Sequence, residues 1–370
     1  MRLEAHLNEL AAPEAAAFRA LAARLRTLPE RVPPEDLTGR ILAAVEEERS
    51  RKRAFFRTPA PWWGAAAAVA AAGVIAAVSL INPPDPAGSD PDSGIAWLAA
   101  NQEADGTWDP SRHGGAAEYR PALTALAALA LARTPEAYAE NIRRACAALA
   151  ALQTTEGAFG GTGRAQLYNQ AITTYALASL YARRAELKPV LDRAVGFIGA
   201  RQSAAGGWDY EADSEGNAAV TAWQVRALAC AGEQGVALTA TPLRKGLRWL
   251  RGSTRGDGSV AYHRASATRS DSLTALAAYA LITAGKAFPQ LPELGRLAAA
   301  SLSADSTPPA GADCYRDYAK VLAFDSAGSA QQADTVRRQM AACASAGSPD
   351  QWATVGGRLY TTALTALAAK

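Results

Sequence analysis

The sequence predicts an all-α chain in which a short helical segment and one transmembrane helix precede a large domain of repeated helical hairpins. Three observations carry that reading: a spaced Gln/Gly/aromatic pattern recurring about every fifty residues, an Ala- and Leu-rich stretch after most copies, and a 20-residue apolar window without charge. With 370 residues, 49% apolar and 20% charged, the chain has the composition of a folded protein and the length to bury a substantial core.

Residues 1–57 form the first element. Phe18, Leu21, Leu25 and Leu28 recur at helical spacing and place one apolar face on a helix over 13–28, and Leu37, Ile41 and Val45 repeat the pattern after Pro33 and Pro34. Two amphipathic helices this short make no full core alone, so the stripes are expected to pack against each other or a partner protein.

The second element, residues 58–84, contains no charged side chain, and its stretch 62–81 is long enough to cross the hydrocarbon core as a helix. Trp62 and Trp63 stand where an interfacial aromatic belt belongs, Pro59 and Pro61 precede the span, and Pro83 and Pro84 end it. Arg49, Arg51, Lys52, Arg53 and Arg57 lie ahead of it, while the twenty residues from Asn82 hold no Lys or Arg, which sets the N-terminus in the cytoplasm. The 61 residues before Trp62 exceed the short basic lead of a cleaved signal peptide, so the anchor is expected to stay attached. The expected location is therefore the bacterial inner membrane, crossed once. The domain that follows the linker 85–92 would lie in the periplasm, where Cys314 and Cys343 either pair or remain thiols.

Net charge is +3, from 38 basic and 35 acidic residues with no long run of one sign, so nucleic acid is not an expected partner. The four cysteines have no C-x-x-C spacing and His6, His113 and His263 lie far apart, so neither a metal site nor a cofactor is expected.

Residues 93–370 carry the repeat. Gln102, Gly106 and Trp108 share their spacing with Gln202, Gly206 and Trp208; Gln153, Gly157 and Phe159 fall between them, and Thr254, Gly258 and Val260 follow. The equivalent positions 102, 153, 202 and 254 define a period near fifty residues, the mark of an array in which each unit buries its face against its neighbours. Each turn leads into a helix rich in small residues, expected at 122–131, 171–180, 219–228, 272–281 and 362–367. The length accommodates five to six units, with a worn copy over 295–348, where the template is poorly kept.

These segments resemble the QW repeat of the terpenoid cyclase and protein prenyltransferase superfamily, a resemblance covering about three quarters of the chain. It implies an α/α toroid, an inner ring of helices inside an outer one. It also implies structural roles for Gln102, Trp108, Gln153, Phe159, Gln202 and Trp208 in tying helix ends together at the outside. Ahead of the span, the run from Leu28 through Pro33, Pro34, Leu37 and Arg40 resembles the juxtamembrane part of membrane-bound anti-sigma factors, without the zinc-binding His/Cys/Cys cluster many of them carry.

A cyclase of the proton-initiated class needs a carboxylic acid kept protonated in its cavity and helped by neighbouring acids. The family places D-x-D-D before a Thr-Ala dipeptide. Here the Thr-Ala pairs at 124, 221, 274 and 362 follow RPAL, NAAV, SDSL and RLYT, so Asp271 is the one candidate acid, and Asp at a helix start more ordinarily caps it. The acidic run from Asp209 to Glu215 follows a motif Trp in a turn, where acids are ordinarily solvated, and His113 is expected to be a polar loop residue. Asp313, Cys314 and His263 supply the residue types of a prenyltransferase zinc site without its Asp-x-Cys spacing. Tyr175, Trp223, Tyr279 and Tyr360 are the aromatic candidates for a cavity wall among mainly Ala, Leu and Thr. The expected function is thus a non-catalytic module that binds an apolar ligand or a protein partner. An isoprenoid cyclase with Asp271 as its acid and an anti-sigma regulator are the alternatives.

Overall fold

The computed structural model describes residues 91–369, apart from 162, 211–213, 265, 267, 268, 287, 289, 304–312, 346–349 and 351. The apolar stripes over 13–45, the basic residues 49–57 and the candidate span 62–81 lie outside the described residues. Among those described, no helix is long and apolar enough to cross a membrane.

The described residues contain twelve α-helices: α1 (Pro91–Ala100), α2 (Arg120–Leu131), α3 (Ala139–Leu152), α4 (Arg164–Tyr181), α5 (Lys188–Ala200), α6 (Ala218–Glu233), α7 (Ala240–Ser253), α8 (Asp271–Thr283), α9 (Gln290–Ala300), α10 (Cys314–Ala327), α11 (Ala330–Ser345) and α12 (Ala353–Ala368). The even-numbered helices pack in sequence, α2 on α4, α4 on α6, α6 on α8, α8 on α10 and α10 on α12, and α12 returns to α2 to close a ring. The odd-numbered helices lie outside that ring, each against its inner neighbours. This is an α/α toroid of six hairpins. The worn repeat supplies a complete hairpin, α9 and α10, whose inner helix the Ala/Leu template had left unplaced.

Composition explains the two layers. Inner helices are buried nearly all round: ten of the twelve residues of α2 are inaccessible, most of them Ala or Leu, and small side chains let adjacent inner helices approach closely. Outer helices are amphipathic. In α7, Leu247, Trp249 and Leu250 turn inward while Arg244, Lys245 and Arg248 stay on the other faces.

The motif loops join the layers. Gln102 Nε2 donates to Gly106 O and to Asn141 O of the next outer helix, both at 2.9 Å. Gln153 does the same to Gly157 O and Val190 O, and Gln202 to Gly206 O and Pro242 O. The fourth copy has Thr254, whose hydroxyl donates back to Leu250 O within its own helix. The fully buried indoles of Trp108 and Trp208 donate to Leu98 O and Ile198 O at 2.8 Å, and each removes enough apolar area to be worth on the order of 4–5 kcal/mol of transfer free energy. The Thr of the Thr-Ala pair holds the same loop from inside: Thr124, Thr221 and Thr274 Oγ1 accept from the backbone N–H of Trp108, Trp208 and Val260.

Cys314 is a free, buried thiol, so the Cys314–Cys343 disulfide considered for an oxidising compartment is not formed. The backbone N–H of Cys314 instead donates to Asp350 at the start of α10.

Candidate functional site

Four inner helices converge on one cation. Arg226, halfway along α6, is the one charged residue in that helix's buried run and is 5% exposed. Its Cζ lies 3.8 Å from the ring centroid of Tyr175 on α4, 4.9 Å from those of Trp223 on α6 and Tyr279 on α8, and 5.8 Å from that of Tyr318 on α10. Nη2 donates to the Tyr318 hydroxyl at 3.1 Å, while Nε and Nη1 find no acceptor among the described residues. Burial works against the guanidinium's charge, but the facing Tyr318, Tyr175 and Tyr279 oxygens outweigh it and raise its pKa further. Burial likewise pushes the Tyr318 phenol up and Tyr279 to about 12, so both are neutral donors at ordinary pH.

Toward the N-terminal ends of the inner helices the aromatic lining continues. Trp223 Nε1 donates to the Tyr315 hydroxyl at 2.8 Å, and the Tyr210 hydroxyl donates to that of Tyr168 at 3.1 Å. Burial raises the phenols of Tyr168, Tyr210 and Tyr315. Tyr360, also raised by burial, sits beside Tyr315 and the acids of α10.

Those acids form a second cluster. Asp313, Asp317 and Asp350 are all buried. Asp313 Oδ1 caps α10 by accepting from Arg316 N at 2.9 Å, Asp317 accepts from Arg316 Nε at 2.9 Å, and Asp350 accepts from Cys314 N and Trp352 N. Burial raises the pKa of both Asp313 and Asp317, and it drives the Cys314 thiol far up, away from thiolate chemistry.

Of the expected wall residues, the structure brings Tyr175, Trp223 and Tyr279 together on Arg226 and sets Tyr360 with the acids. Asp271 is not the cap of α8, since Ser270 precedes it in the capping position; its carboxylate pairs at 2.9 Å with the buried Lys320 ammonium, which needs a counter-charge more than the helix end needs a cap. Nor is Asp271 the one acid near an inner-helix start, because Asp313 and Asp317 come from the repeat where the template fails. Asp209, expected to be solvated, is buried at its side chain and accepts from Asn217 Nδ2 at 2.6 Å and from Tyr210 N at 2.8 Å. His113, half-buried, packs edge-on against Trp97 with ring centroids 5.0 Å apart. His263 Nδ1 lies against Gly216 O at 3.1 Å, not beside Cys314. Among the described residues no group of three or more His, Cys, Asp or Glu is placed to hold a metal. Sequence reasoning missed Arg226, although a lone cation inside AAVTAWQVRALACAG was a visible signal; Tyr315 and Tyr318 carried none, lying in the worn repeat.

The fold and its motif loops define the class: an α/α toroid of the prenyltransferase kind. The family model for the prenyltransferase alpha-alpha toroid domain matches residues 25–208, 65–259 and 165–288, and the chain belongs to that family. No curated protein matches it. Among solved structures it is similar to the GH76A α-1,6-mannanase of Salegentibacter sp. HEL1_6, at 12% identity and a TM-score of 0.57 over 76% of this chain and 99% of that one. An inactive double-aspartate variant of that mannanase in complex with α-1,6-mannotetrose gives 11% identity and a TM-score of 0.56 over 76% and 100%. At such identities the likeness is one of fold.

Proposed function

We propose that the chain is a membrane-anchored ligand-binding toroid whose recognition centre is the Arg226 box, and that it performs neither cyclisation nor protein prenylation. The observation that carries this reading is a guanidinium enclosed by the rings of Tyr175, Trp223, Tyr279 and Tyr318. It occupies the ring faces that a carbocation intermediate would need, and a second positive charge a few ångströms away in a low-dielectric interior would be repelled by several kcal/mol. Aromatic faces about one fixed polar anchor instead suit recognition, where rings hold a flat or apolar body and the anchor sets its orientation. Tyr175 and Tyr279 keep partly exposed surfaces, so the box borders solvent.

The full chain in detergent, titrated with the neutral fluorophore N-phenyl-1-naphthylamine, is expected to bind it saturably, with at least tenfold weaker binding in Trp223→Ala and no conversion of squalene. Turnover of squalene, or binding indifferent to Trp223→Ala, would overturn the proposal. The anchor rests on the uncharged stretch 62–81 and the basic residues ahead of it. Protease added to spheroplasts is expected to degrade the repeat domain and spare residues 1–57.

Asp313 and Asp317, buried carboxyls held toward their protonated forms, favour a second reading as a hydrolase. Release of mannose from α-1,6-mannotetraose, abolished in Asp317→Asn, would establish it in place of the first.

A further inference from the structure

We propose that the Arg226 box takes a small organic monoanion, a carboxylate carried on a flat apolar body; this rests on the binding reading above and names its ligand class. Arg226 carries five N–H donors. One Nη2 contact to Tyr318 leaves the Nε–H and both Nη1 hydrogens without an acceptor among the described residues, at a side chain that is 5% exposed. Ring faces stabilise the charge of a cation but do not replace hydrogen bonds at its edge. A buried guanidinium with several idle donors is a costly arrangement unless something else supplies the acceptors.

The chain's own carboxylates do not supply them. Asp317 is committed to Arg316 and Asp271 to Lys320, and no ion pair to Arg226 forms among the described residues. The plane of a guanidinium matches the two oxygens of a carboxylate, which can take two of the idle donors at once. The Tyr318 hydroxyl, which accepts from Nη2 at 3.1 Å, keeps its own hydrogen to donate to those oxygens.

Charge counting selects the monoanion. A diphosphate brings two or three negative charges and calls for several cations or a metal ion. Here Arg316 and Lys320, the cations of α10, are each already held by an aspartate. One uncompensated guanidinium balances one carboxylate. Tyr175 and Tyr279, the partly exposed rings of the box, are the aromatic groups that an attached apolar ring can contact at its border.

Calorimetric titration of the full chain in detergent with sodium benzoate, its neutral counterpart benzyl alcohol and sodium pyrophosphate separates the possibilities. Benzoate is expected to bind at least tenfold more tightly than either other compound, and Arg226→Met, which keeps the side chain's length, is expected to abolish the preference. Tyr279→Phe guards against misfolding of the first variant and is expected to weaken benzoate at least threefold more than it weakens benzyl alcohol. Equal binding of benzoate and benzyl alcohol would overturn the anion inference and leave the binding module standing. Pyrophosphate binding more tightly than benzoate would overturn the choice of a monoanion. Binding of none of these compounds, nor of the naphthylamine fluorophore, would remove both.

Discussion

Asp313 holds two roles that pull its chemistry in opposite directions. Its Oδ1 caps α10, which favours the charged form, while burial favours the neutral one and prevails, so its pKa is raised, as is that of Asp317 beside it. A carboxyl whose folded-state pKa lies above the unfolded value of about 3.9 binds its proton more tightly when folded. Its stabilising contribution is complete below that value and is lost as pH rises through the folded pKa. Asp313→Asn keeps a capping oxygen and removes the titration. Urea unfolding is therefore expected to show wild type losing stability relative to this variant as pH rises from about 4 through the raised folded-state pKa. Parallel pH profiles for the two would show that the facing Arg316 absorbs the burial cost. Arg226 poses the complementary case. Met in its place removes a buried charge at similar volume and is expected to leave stability within about 1 kcal/mol of wild type, or higher, when no anion is added. Arg226→Ala, which opens a void, is expected to cost about 3 kcal/mol. Equal losses in thermal unfolding of the two variants would mean that the cation itself holds the helices together.

At the scale of the hairpin, the motif glycine sets how closely one repeat can lie on the next. Gly157 has φ +93°, and a Cβ there would stand 2.2 Å from Arg193 O on α5; at Gly206, with the same φ, it would stand 2.9 Å from Lys245 O on α7. Both substitutions strain the turn equally, so the difference between them isolates the clash. Gly157→Ala is expected to destabilise by more than about 2 kcal/mol and by more than Gly206→Ala, as read from urea midpoints at a constant slope. The same loops explain what could be read in advance. Gln102, Gly106 and Trp108 meet geometric demands that return at Gln153, Gly157 and Phe159 and at Gln202, Gly206 and Trp208, so the period is visible in one sequence. The site is built from what does not recur. Tyr315, Asp317 and Tyr318 lie on an inner helix that does not keep the Ala/Leu template, and the fifth hairpin looks like a worn copy because this helix supplies polar and aromatic groups to the interior. Asp350 reaches α10 across 36 positions of sequence, a distance that no local pattern encodes.

At the scale of the whole ring, stability depends on a seam that an open array of repeats does not have. The last inner helix, α12, packs on α1 and α2, and the backbones meet without intervening side chains: Ala116 N donates to Val355 O at 2.8 Å, and a Cβ on Gly357, whose φ is +60°, would stand 2.0 Å from His113 O. Arg358 lies over the Trp97 ring at 4.5 Å, and Arg133 reaches across to Ala369 O at 2.6 Å. In a linear solenoid each unit is stabilised only by its neighbours and the ends fray, whereas closure gives the first and sixth hairpins two neighbours each. Gly357→Ala places a methyl group where no space exists and cannot be relieved by a flexible side chain, because the opposing atoms are backbone. It is expected to part the seam without unfolding the remaining hairpins. Hydrogen exchange should then accelerate over 94–131 and 353–369 while 164–253 stays protected, and thermal unfolding should broaden from one transition into two. Uniform acceleration across all six hairpins would mean instead that the ring folds as a single cooperative unit whose closure cannot be separated from its core.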